Sequence, residues 1–132
     1  MNVVDSSAWL EYFANGPNAS FFAPAIEKTA ELIVPTLALY EVFKRVLHQR
    51  DEGTALQAVA VMQQGAVVDL DPSLALMAAR LSVDLHLPMA DSVILATARR
   101  EGAVLWTQDA DFKEMPGVEY RKHRASGEPR GR

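Results

Sequence analysis

Short apolar runs alternate with helix-length stretches along the whole chain, and no other feature constrains the fold as much. Val3-Val4, Leu32-Ile33-Val34, Ala66-Val67-Val68 and Ala103-Val104-Leu105-Trp106 are too short for buried helices and are rich in strand-forming residues. The segments between them carry apolar residues at helical spacing. Leu39, Val42, Phe43, Val46 and Leu47, for example, share one face. Strands joined through helices pair in parallel, and a parallel sheet is covered on both faces. The expectation is an α/β fold: a single three-layer α/β/α domain with a short, mostly parallel sheet of about five strands.

The local punctuation fixes the elements. The first strand is expected over Asn2 to Asp5, followed by a helix through Trp9 and Phe13 that Ser6 or Ser7 can cap. Asn15-Gly16-Pro17-Asn18 breaks the chain before a second helix from Ala19 to Lys28. The strand Leu32 to Pro35 leads into a long helix from Thr36, its expected cap, to Gln49. Helices are expected from Thr54 to Gln64, from the Asp71 cap and Pro72 to His86, and from Met89 to Glu101. Strands are expected at Ala66 to Leu70 and Ala103 to Trp106, with a fifth at Gly117 to Tyr120. No repeat or linker divides residues 1–120, which read as one domain, with 121–132 as a basic and flexible tail.

Composition excludes several classes. The 132 residues contain no cysteine, so disulfide frameworks and thiolate metal sites are ruled out. No apolar run approaches the roughly 20 residues of a membrane span, and the start lacks the pattern of a secretion signal. The expectation is a cytoplasmic protein without membrane contact. The formal charge of −4 conceals an asymmetry. The tail holds five of the 13 basic residues and one of the 17 acidic ones, which leaves residues 1–120 at −8. Bulk electrostatics therefore oppose binding to a phosphate backbone, and any such binding must use metal, a local patch or the tail.

Ligands of parallel α/β sheets bind at the carboxyl ends of the strands. Asp5 stands at the end of the first strand, and Asp109 and Asp111 follow the fourth. Asp91 shares a helical face with Ile94, Leu95 and Ala98, so a charge heads a buried stripe. Burying an unpaired carboxylate costs several kcal/mol unless a cation, a basic partner or a helix N-terminus offsets it. Asp109 and Asp111 flank Ala110; one can cap a turn before Phe112 and leave the other free, and spacing does not decide which. Thr107 precedes them and can bind water or phosphate, or simply form the turn. Glu41 lies opposite the apolar stripe of its helix, with Lys44 and Arg45 at ion-pair spacing, so periodicity reads it as a solvated surface charge. Several carboxylates in one cleft repel each other unless a divalent cation neutralises them. Hard oxygen ligands suit Mg²⁺ or Mn²⁺.

Four of these segments, in order, resemble the PIN-domain family, and within it the VapC-type ribonuclease toxins of toxin–antitoxin modules. They are Val3-Val4-Asp5-Ser6-Ser7, Pro35-Thr-Leu-Ala-Leu-Tyr-Glu41, Leu87-Pro-Met-Ala-Asp91-Ser-Val-Ile-Leu-Ala-Thr-Ala98 and Leu105-Trp-Thr107-Gln-Asp109-Ala-Asp111-Phe112. The resemblance spans Asp5 to about Tyr120. It implies a metal-dependent endoribonuclease in which Asp5, Asp91, Glu41 and Asp109 bind metal and carry catalysis, supported by Ser6, Thr107 and Asp111. It also implies an RNA substrate, a cognate antitoxin partner and a homodimer. It restores Glu41, which periodicity demotes. Tyr40 departs from the family pattern, where a small residue is more usual, and could alter the groove beside the site. Two other function classes compete: a PIN nuclease of RNA processing or decay, and a receiver-like or non-catalytic binding module. The receiver-like reading lacks paired acids after the first strand and a lysine after Trp106.

Overall fold

The computed structural model describes residues 1–125. Five strands form one sheet: β1 (Asn2–Val4), β2 (Leu32–Pro35), β3 (Ala66–Val68), β4 (Val104–Thr107) and β5 (Val118–Tyr120). Every pairing is parallel, in the order β3-β2-β1-β4-β5. The six helices are α1 (Ser6–Phe13), α2 (Ala19–Glu27), α3 (Thr36–Gln49), α4 (Glu52–Met62), α5 (Pro72–Leu85) and α6 (Met89–Arg100). The expected alternation of strand and helix holds from β1 to β4, β5 follows β4 through only the short 3-10 turn Ala110–Phe112, and the sheet is wholly parallel.

From β1 the chain steps to β2 and β3 on one side, then returns past β1 to place β4 on the other. Crossovers in parallel sheets are right-handed, so this reversal puts α1–α4 and α5–α6 on opposite faces. The same reversal opens a crevice between β1 and β4 at their carboxyl ends. The core is apolar and continuous, with Val3, Val4, Trp9, Phe22, Val34, Ile94 and Leu105 wholly or almost wholly buried. Helix α6 is buried from Ser92 through Ala98 because it serves two interfaces. Ile94, Leu95 and Ala98 join the sheet core, while Val93 and Ala96 pack with Leu74 and Ala78 of α5.

The caps depart in part from expectation. Asp71 does cap α5, accepting from the Leu74 amide at 2.8 Å. Helix α4 starts earlier than Thr54, because Asp51 accepts from the Thr54 amide at 2.7 Å and caps it. Ser6, Ser7 and Thr36 cap nothing; Asp5 and Pro35 hold the two N-cap positions, without side-chain cap bonds. The two serine hydroxyls are instead directed at carboxylates. Of the basic tail, residues 126–132 lie outside the described residues. The preceding residues bond to the body: the Arg121 amide donates to the Thr107 carbonyl at 3.1 Å, and Asn18 Nδ2 donates to the Lys122 carbonyl at 2.9 Å.

Candidate metal centre

Strand register builds the first half of the site. Val4 pairs with Trp106, and the Asp5 amide donates to the Trp106 carbonyl at 2.9 Å. The next residue on β4, Thr107, therefore falls beside Asp5. Its hydroxyl donates to Asp5 Oδ2 at 2.8 Å and accepts from the Asp109 amide at 2.9 Å. Ser7 donates to the same Asp5 oxygen at 2.8 Å. Asp5 is buried, and desolvation pushes its carboxyl up to about 6 from 3.8, against the opposing pull of the Ser7 and Thr107 hydrogen bonds; the negative charge of Asp109 adds to the rise.

Helix α6 supplies the second half. Asp91 sits in its first turn, at the head of the buried stripe. Oxygen atoms of Asp91, Asp109 and Asp111 lie within 4.8 Å of one another, the one such grouping among the described residues. The Asp91 carboxyl is pushed up to about 8, first by desolvation, then by the charge of Asp109, with Asp111 and Asp5 adding to it. A helix N-terminus favours a carboxylate, yet here mutual repulsion and burial win. Ionisation of Asp91 beside its two neighbours is therefore disfavoured until a cation offsets the charge. Their donors are hard oxygens at a spacing that one ion can bridge, so the residues fit Mg²⁺ or Mn²⁺.

Between Asp109 and Asp111 the structure does not force a choice. Asp109 Oδ1 accepts from the Asp111 amide at 2.9 Å and caps the 3-10 turn Ala110–Phe112, while both side chains remain in the acidic trio. Glu41 lies outside that trio, as does Asp5, but both line the same cavity of about 930 Å³ as Asp91 and Asp109. Glu41 is not the solvated charge that periodicity suggests. It is half-buried, and Ser6 donates to its Oε1 at 2.6 Å across the gap between α1 and α3. Lys44 and Arg45 form no ion pair with it.

One buried carboxylate escapes the sequence reading. Glu11 is almost fully buried on α1 and accepts from the Asn18 amide at 2.7 Å, closing the loop to α2. Around it, Asn18 Nδ2 donates to Gln108 Oε1 at 3.0 Å and Gln108 bonds His123 at 3.0 Å. This network fastens the α1–α2 loop and the end of β5 to the loop that carries Asp109. Gly16 is the signal that could have revealed it, since a Cβ there would meet the Glu11 carboxylate at 2.5 Å.

A doubly wound parallel sheet with carboxylates converging at its switch point defines an α/β protein with an acidic crevice. The sequence matches the PIN domain family over residues 3–118, and the chain belongs to that family. Solved structures with the same fold include a toxin–antitoxin complex from Klebsiella pneumoniae (21% identity, TM-score 0.74, covering 90% of this chain and 96% of that one). The VapC20 toxin of Mycobacterium tuberculosis, described as cleaving the sarcin-ricin loop, is 18% identical with a TM-score of 0.73, covering 88% and 95%. DNA-bound VapBC from Salmonella typhimurium is 17% identical with a TM-score of 0.72, covering 92% and 96%. At these identities the likeness is one of fold. No curated protein matches the chain by sequence.

Proposed function

We propose that the protein is a metal-dependent endoribonuclease and the toxin of a toxin–antitoxin pair, acting on RNA and held in check by a cognate antitoxin. The observation that carries this reading is the convergence of Asp91, Asp109 and Asp111 to within 4.8 Å, beside buried Asp5, at the switch point of a PIN-domain sheet. The toxins and toxin–antitoxin complexes among its structural neighbours support the biological role. No helix among the described residues is long and apolar enough to cross a membrane.

Asp91, Asp109 and Asp111 would hold Mg²⁺ or Mn²⁺, with Asp5 alongside. When bound, such an ion supplies Lewis-acid polarisation of the scissile phosphate and lowers the pKa of water. The chain's own groups do the rest. Thr107 and Ser7 fix the Asp5 carboxylate in one orientation. Ser6 occupies Glu41 Oε1 and leaves Oε2 to accept a proton from the attacking water, the part of a general base. Attack in line on phosphorus breaks the bond to the 3′ oxygen, which leaves a 5′-phosphate and a 3′-hydroxyl. Incubation of a labelled RNA with Mg²⁺ or Mn²⁺, with and without chelator, tests the reading. Cleavage should require the ion and disappear in Asp91→Asn; cleavage that survives both chelator and the substitution would overturn it. Co-purification of a small protein from the neighbouring reading frame, and suppression of cleavage by it, separates a toxin from an RNA-processing nuclease.

A further inference from the structure

Helix α3 reverses its charge along a single stripe. Glu41 points into the acidic crevice, and Lys44, Arg45 and His48 follow at the spacings that place side chains on one helical face. Arg50 closes the run at the end of the helix, and all four line the same cavity as Glu41. Among the described residues no carboxylate lies within ion-pair distance of Lys44, Arg45 or Arg50, because the obvious partner, Glu41, faces Ser6. Tyr40 stands beside them with 58% of its surface exposed, and the Lys44 ammonium lies 5.6 Å from its ring centroid. Tyr40 thus presents an exposed aromatic ring next to the cations of the cavity wall.

We propose that this edge of α3 is the track for single-stranded RNA leading away from the scissile phosphate, with Lys44, Arg45 and Arg50 against phosphates and Tyr40 under a base; the proposal rests on the ribonuclease reading above. Residues 44 and 45 lie about 4.5–6 Å beyond Glu41 along the helix axis. A strand with one phosphate over the carboxylates thus carries its neighbours past the cations. The body's formal charge of −8 provides no general attraction for RNA, so affinity has to come from such a local cluster. Tyr40 makes the choice between single strand and duplex, because only an unpaired base offers a face for stacking.

The test is fluorescence anisotropy of a labelled single-stranded RNA with the Asp91→Asn protein in Mg²⁺, over a salt series, with the self-complementary duplex as comparison. Lys44→Ala with Arg45→Ala should weaken binding and reduce the slope of log K against log salt by about 1.4, the value for two lost phosphate contacts. Tyr40→Ala should weaken binding about five- to 150-fold and leave the slope alone, while Tyr40→Phe retains affinity. Unchanged affinity and slope in the double variant would overturn the proposal and leave the basic wall to an acidic protein segment. Duplex binding as tight as the single strand, dependent on the same residues, would overturn the role of Tyr40. Wild-type cleavage measured in parallel keeps the two ideas apart. A cleaving enzyme with a silent double variant removes only the track, whereas absent cleavage with Lys44- and Arg45-dependent binding removes only the nuclease.

Discussion

The Thr107 hydroxyl is spent twice in the buried crevice: it donates to Asp5 Oδ2 at 2.8 Å and accepts from the Asp109 amide at 2.9 Å. One oxygen thus ties together the two loops that bring acids from opposite ends of the chain. Thr107→Val keeps the shape, removes both bonds and leaves a buried carboxylate and an amide short of partners. Unfolding in urea should show a loss of about 1–3 kcal/mol, and Thr107→Ser should recover most of it. A silent Thr107→Val would mean that water replaces the hydroxyl at no cost.

Asp91 is stabilising only in company. In chelator, Asp91→Asn should raise the melting temperature, since it removes a carboxyl that can ionise only against burial and the charge of Asp109. In saturating Mn²⁺ the order should reverse, because an ion at 100 times its Kd contributes about 2.7 kcal/mol to a protein that can bind it. Differential scanning calorimetry with and without Mn²⁺ reads both signs. A variant destabilised in chelator would contradict the repulsion described for the trio.

The pH dependence has a definite sign. The folded-state values, about 6 for Asp5 and about 8 for Asp91, lie above the ordinary 3.8. The folded protein therefore keeps protons that the unfolded chain releases, and stability from these groups is full below pH 3.8 and lost as pH rises through 6 and 8. An ion competes with those protons. The Mn²⁺-induced rise in melting temperature should consequently be larger near pH 8 than near pH 5.5. Taking the difference at each pH cancels groups remote from the crevice. An increment independent of pH would exclude Asp5 and Asp91 from the binding.

Gly16 and Glu11 make a pair of the opposite kind, fixed by the absence of a side chain. A Cβ at position 16 would lie 2.5 Å from Glu11 Oε1, so Gly16→Ala should cost about 1–3 kcal/mol through overpacking. In a Glu11→Ala background the same change should cost much less, and a double-mutant cycle measures the coupling. Equal costs in both backgrounds would place the strain elsewhere.

Sequence periodicity reports burial against a core, and it reads the fold well because this core is made of short strands and one-sided helices. The helix N-terminus at Pro72 and the stripe headed by Asp91 were legible for that reason. Glu41 was not, because it is half-buried by a polar crevice, and a residue facing a crevice looks to periodicity like one facing solvent. The serines after Asp5 read as caps since capping is their commonest use at such a junction; that they hold carboxylates follows from contacts with Asp5 and with residue 41 on another helix. Glu11 left one trace, the glycine five residues later, and that trace has meaning only when the loop is seen to fold back.

Strand β4 is inserted between β1 and β5, although it is synthesised after β2, β3 and all six helices. Until it docks, Asp5 has no Thr107 beside it and Asp91 has neither Asp109 nor Asp111 within reach. A growing chain on the ribosome consequently carries no assembled acidic centre before β4 is made, however well its six helices have folded. The acidic cluster can therefore assemble only after β4 and the loop behind it have been made and have docked beside β1.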